Sequence, residues 1–197
     1  MAPQYNKSAR RLARVSAFAF SSLFVTFLVV STSRGAFSDT TDNTANSVSA
    51  GTVTLVDDDT GAVLFNVSGM APTDSVSHCI VVTYNGDLTP GSAVQLYRSA
   101  AITGTGLDQY LDLVVEVGTG GTYSDCTGFT PSVTLSTGST LQSFATTHQA
   151  YASALGTGWL PTGAGQARTF RFTLTLQDNN AAQGLNTTFG FSWEARS

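Results

Sequence analysis

An all-β, jelly-roll-like two-sheet antiparallel sandwich with one short helix is the fold this sequence predicts. Three observations carry that expectation. The 197 residues are 42% hydrophobic but only 11% charged, and they are rich in Gly, Ser and Thr. That mixture suits β-branched strands joined by tight turns. Beyond Gly51 the chain reads as short runs of alternating apolar residues cut by turn residues. A single segment shows helical spacing instead.

The strands follow in order. TVTLV (52–56) leads through Asp57-Asp58-Asp59-Thr60-Gly61 into AVLFNV (62–67), and the turn chemistry between them predicts a hairpin. HCIVVTYNG (78–86) ends in Asn85-Gly86, a strong turn signal. SAVQLYRS (92–99) and LDLVVEVG (111–118) alternate, the second stopping in Gly118-Thr119-Gly120-Gly121. PSVTLST (131–137) is short. RTFRFTLTLQ (168–177) sets Phe170, Phe172, Leu174 and Leu176 on one face, and NTTFGFSWEA (186–195) keeps Phe189, Phe191 and Trp193 in step. These make about eight strands spaced as in a sandwich or jelly roll. The exception is 139–156, where Leu141, Phe144, Ala145, His148, Ala152 and Leu155 recur every three or four residues. Ser139 with Gln142 suggests a capping box, and Gly156 a stop.

Charge divides the chain. Residues 1–35 hold Lys7, Arg10, Arg11, Arg14 and Arg34 and no acid. The remainder carries four Arg against all 13 acids, a formal −9, and has no Lys. Such a surface repels phosphate backbones, so nucleic acid is not an expected partner. The basic start, the apolar run 15–30 and the small residues Ser33 and Gly35 read as an export signal cut between Gly35 and Ala36. The apolar run is near the short end for a membrane span of about 17–25 residues, and a retained anchor is the alternative. Three segments result: signal peptide 1–35, an extended polar segment 36–50 and the sandwich 51–197. Cys79 and Cys126 in an exported domain are expected to pair.

Catalytic signatures are scarce. HExxH, GxSxG, the P-loop and a strand-borne GxGxxG do not occur. His78 and His148 are isolated in sequence, and a partly buried core position is the reading favoured for His148 over a ligand. Asp57, Asp58 and Asp59 suit either a calcium loop or, preferred, a solvated turn. Trp159, in GTGWLPTG, is either a sugar-stacking contact or a core plug. No catalytic residue, metal or cofactor is expected.

AFSDTTDNTANSVSAGTVTL (36–55) is the most specific stretch. An aromatic follows the cut, then Ser-Asp, a polar run, Ala-Gly-Thr and an alternating strand. It resembles the N-terminus of the TasA and camelysin family, whose precursors are processed by a SipW-type signal peptidase. The later strand runs, with SDCTGF between them, are similar to that family's as well, and the cysteine pair looks like a variant of high-GC Gram-positive bacteria. The resemblance implies an exported jelly roll that self-associates into extracellular matrix fibres, without membrane attachment after cleavage. It also implies strand donation, in which Phe37, Ala45, Val48 and Ala50 of one subunit complete the sheet of the next. The alternative for 36–50 is an edge strand folded back on its own domain. Two other functions stand beside this one: a secreted carbohydrate- or ligand-binding sandwich, and a metal-dependent surface peptidase.

Overall fold

The structure, a computed structural model, describes residues 38–39 and 51–197. Eleven strands occur in it: β1 (Ser38–Asp39), β2 (Leu55–Asp57), β3 (Ser75–Tyr84), β4 (Gln95–Arg98), β5 (Thr103–Gly104), β6 (Leu111–Thr119), β7 (Thr130–Thr140), β8 (Leu155–Gly156), β9 (Gln166–Leu176), β10 (Thr187–Thr188) and β11 (Phe191–Arg196). One α-helix, α1 (Leu141–Thr147), follows β7 directly. Every pairing is antiparallel. The larger sheet runs β2-β3-β9-β6-β7, the smaller β1-β11-β4-β8, and β5 pairs with β10 apart from both. The chain is an all-β sandwich.

Alternation explains the core. Ile80, Val82 and Tyr84 of β3, Phe170, Phe172 and Leu174 of β9, and Leu113, Val115 and Val117 of β6 are all buried on one face. Leu96 and Ala195 from the smaller sheet join the same apolar cluster, with Phe191 and Trp193 packed against it. Phe191 stacks on Phe172 at 4.1 Å between centroids, and Trp193 meets Phe170 edge-on at 5.4 Å.

On the opposite face of the larger sheet, the β6–β7 connection arches back over β9 to reach β3. Cys126 in that connection is bonded to Cys79 of β3, with their Cα atoms 5.2 Å apart. Phe129 lies over the Arg171 guanidinium at 4.7 Å, and Arg171 pairs with Glu116 of the neighbouring strand. The turn needs glycine: Gly120 and Gly121 take φ of 80° and 74°. A Cβ on Gly118 would run into the Thr130 carbonyl oxygen.

Three expectations are corrected. AVLFNV (62–67) is not a strand, and the expected hairpin does not form: β2 pairs with β3 instead. The ladder ends because the Asp58 carboxylate, not a main-chain carbonyl, accepts from Val81 N at 2.8 Å. Its other oxygen accepts from Tyr123 N at 2.7 Å. Asp58 is therefore a clasp between β3 and the disulfide-bearing turn, whereas Asp57 is exposed and Asp59 accepts from Gly61 N within its own turn. Asp58→Ala is expected to cost about 2 kcal/mol by stranding two main-chain donors, read as a lowered urea midpoint.

Asn85-Gly86 directly follows the end of β3, as the turn signal predicts. Asn85 N and Asp87 N bond back to the Thr54 and Thr52 carbonyls, and the chain crosses to the smaller sheet. The expected helix over 139–156 stops at Thr147. Ser139 lies in β7 opposite Leu113, so Thr140 caps the helix, its Oγ1 accepting from Ser143 N. Past His148 the Ser153 hydroxyl accepts from Gln149 N and Ala150 N, turning the chain into a 3-10 turn over Tyr151–Ser153.

Candidate functional site

β11 has two edges. One pairs with β4 from Phe191↔Arg98 to Glu194↔Gln95. The other meets β1 only at Ser38↔Arg196 and Asp39↔Ala195. Among the described residues, Phe191–Glu194 have no ladder partner on that side.

A groove of about 400 Å³ lies beside this edge. Phe189, Phe191 and Trp193 form one wall and Leu64, Phe65 and Val67 the other, above Ile80. The second wall is the segment expected to be a strand. It is held from behind by the Tyr123 hydroxyl donating to the Val63 carbonyl at 2.7 Å, and by Phe65 against His78 and Phe189. Leu64–Val67 make no main-chain hydrogen bond among the described residues. Val63, 72% exposed, and Val67 hold the rim open to water. Trp193 and Thr187 line the groove, and among the described residues their buried indole N–H and hydroxyl have no partner.

On the other face of the smaller sheet, β11 is anchored by charge as well as by its aromatics. Glu194 is 2% exposed, yet it accepts from the Tyr97 hydroxyl at 2.6 Å and from Arg196 Nε at 2.6 Å. Burial first, then the bond to this carboxylate, push the Tyr97 phenol up to about 12.

Asp59 lies at the groove's end. Partial burial, followed by the hydrogen-bonded Asp59 side chain and its charge, pushes Asp57 up to about 6. A carboxyl raised on folding stabilises the fold below pH 4 and loses that contribution as pH climbs through about 6. Asp57 keeps much of its surface in water, so the gain from pH 7 to pH 5 should stay under about 1 kcal/mol. Asp57→Asn is expected to flatten it, as measured by urea unfolding at the two pH values.

The remaining expected site residues fall as follows. Gly35, Ala36, Phe37, Ala45, Val48 and Ala50 lie outside the described residues. Cys79 and Cys126 pair as expected. Trp159 is 4% exposed and belongs to the core cluster, so it offers no stacking face: the possible ligand contact is corrected to a core plug. His148 also follows the core reading, with its ring 5.1 Å from Phe144 and its Nδ1–H donating to the Ser153 carbonyl at 2.7 Å. His78 Nδ1–H donates to the Ser124 carbonyl at 2.9 Å. Among the described residues no group of three His, Cys, Asp or Glu side chains could hold a metal, and no helix is long and apolar enough to cross a membrane. No protein-family model matches the chain, and no curated protein matches it either.

The groove was not foreseen. Its residues were visible as apolar runs, but an open edge is a property of strand order and has no local signature.

Proposed function

We propose that the chain is an exported, non-enzymatic structural protein of the cell surface or extracellular matrix that assembles into fibres by N-terminal strand donation. One observation supports this reading above the others. After the proposed signal cut, Ser38 and Asp39 pair with β11 at Arg196 and Ala195, and among the described residues Phe191–Glu194, beside the groove, have no ladder partner on that side. Residues 36–50 are too polar to fold alone, but an extended ribbon can hydrogen-bond along such an edge. Donation from one copy to the next is head-to-tail and so does not close on itself. Signal peptidase acts first, freeing the ribbon from the membrane. Nucleic acid and cofactors have no part. The resemblance to the TasA and camelysin family points the same way.

The test is negative-stain microscopy of residues 36–197 beside a chain starting at Thr52, at neutral and mildly acidic pH. The longer chain is expected to form fibres and the shorter to stay monomeric. Fibres from the shorter chain would remove strand donation; monodisperse particles from both would remove self-assembly.

A further inference from the structure

We propose that Asn66 is a site of N-linked glycosylation, its side-chain amide taking an oligosaccharide from a lipid-linked pyrophosphate donor. This rests on the export reading above and not on strand donation. Asn66-Val67-Ser68 and Asn186-Thr187-Thr188 both have the Asn-X-Ser/Thr pattern that an oligosaccharyltransferase reads. The fold treats the two triplets differently.

Asn66, Val67 and Ser68 are all exposed. They lie where a strand was expected and none forms. Among the described residues, 64–70 make no main-chain hydrogen bond. The stretch is pinned at its two ends. At one, Ala62 N donates to the Asp59 carbonyl at 3.0 Å and the Tyr123 hydroxyl donates to the Val63 carbonyl at 2.7 Å. At the other, Ala71 N donates to the Asp74 carboxylate at 2.7 Å. Phe65 and Met70 pack against the core on either side of the triplet. Gly69, just past it, takes a φ of 70° with nothing within 4 Å of a Cβ placed there. To be modified, the main chain must bend into the transferase with the Ser68 hydroxyl held alongside the asparagine. Bending here breaks no ladder, and local opening of such a segment costs little free energy.

Asn186 is held instead. Its N–H donates to Thr105 Oγ1 at 2.8 Å, and its carbonyl accepts from Thr105 N at 3.0 Å and Leu107 N at 3.3 Å. Thr187 and Thr188 pair with Gly104 and Thr103. Presenting that triplet means stripping β10 from β5, so the folded chain offers Asn66 and withholds Asn186.

The transfer balances without an oxidant. The Asn66 amide nitrogen bonds to C1 of the first sugar as the C1–O bond to the lipid pyrophosphate breaks. The pyrophosphate leaves with the bonding electrons, and the amide nitrogen gives up one proton to a base of the transferase. The product adds a bulky, solubilising group to the segment that carries Val63 and Val67, which are 72% and 45% exposed.

The first test is mass spectrometry of the chain recovered from the surface or medium of the organism that makes it. A glycan on Asn66 is expected, with an occupancy at least tenfold above that of Asn186. Asn66→Gln and Ser68→Ala should abolish it, Ser68→Thr should keep it, and Asn186→Gln should leave it unchanged. A bare Asn66 on the exported chain overturns the site. Equal occupancy of the two asparagines overturns selection by the fold. A second test does without export: the purified, folded chain is incubated with a single-subunit oligosaccharyltransferase that reads Asn-X-Ser/Thr and a polyprenyl-pyrophosphate-linked oligosaccharide. Modification of Asn66 and not of Asn186 is expected, and no modification overturns the acceptor. A chain modified in this assay but retained in the cytoplasm of its own organism overturns the export reading and, with it, the glycan's occurrence there.

Discussion

Replacing Cys79 and Cys126 together by Ala is expected to lower stability by roughly 4 kcal/mol, the chain-entropy value for a closed loop of this length. The pair closes a 47-residue separation and fastens the β6–β7 turn to a strand two places away in the sheet. Without it, the turn keeps its hydrogen bonds to β3 through Ser124 and its bond to Asp58, but the unfolded chain regains the freedom the crosslink removed. The measurement is urea unfolding of the double variant against the oxidised parent. A loss below about 1 kcal/mol would mean that the Asp58 clasp and the packing of Phe129 on Arg171 already fix the turn.

Phe172→Ala should cost about 3–5 kcal/mol, the range for truncating a buried aromatic. Phe172 is 0% exposed at the centre of the larger sheet and stacks at 4.1 Å on Phe191, with Trp193 at 6.0 Å. It is the platform on which β11 rests, so the cavity would open directly below the groove. Equilibrium unfolding reads the loss. Phe172→Leu, which refills most of the volume, should recover more than half of it. If the alanine variant lost less than about 1.5 kcal/mol, β11 would be free to settle inward, and the groove would not be a preformed feature.

Much of the fold was legible in the sequence because strands betray themselves locally. The alternations at 111–118 and 168–177 gave β6 and β9 nearly to the residue, and the cysteine count gave the disulfide. The failures are physical. AVLFNV has a strand's composition, and Leu64 and Phe65 do pack on the core, but Asp58 takes the Val81 donor that would have continued the ladder. No spacing rule distinguishes a carboxylate that ends a ladder from one that decorates a turn. The helix at 141–147 was found but overextended, since nothing local said that Ser153 would fold the chain back. The two-residue strands β5, β8 and β10 depend wholly on partners distant in sequence. The candidate site was the least legible part, because it consists of what the pairing leaves over.

The pairing of Ser38 with Arg196 joins the first described strand to the last. A ribosome makes β11 after every other described strand, and β11 lies in the middle of the smaller sheet, between β1 and β4. Until it emerges, β4 has only the two residues of β8 beside it, and Phe170 and Phe172 lack the aromatic cover that Phe191 and Trp193 provide. The sheet therefore closes late, through contacts of very high sequence separation, which are slow to form. A chain that lacks β11 leaves Phe170 and Phe172 without that aromatic cover, and such exposed apolar surface is prone to aggregate.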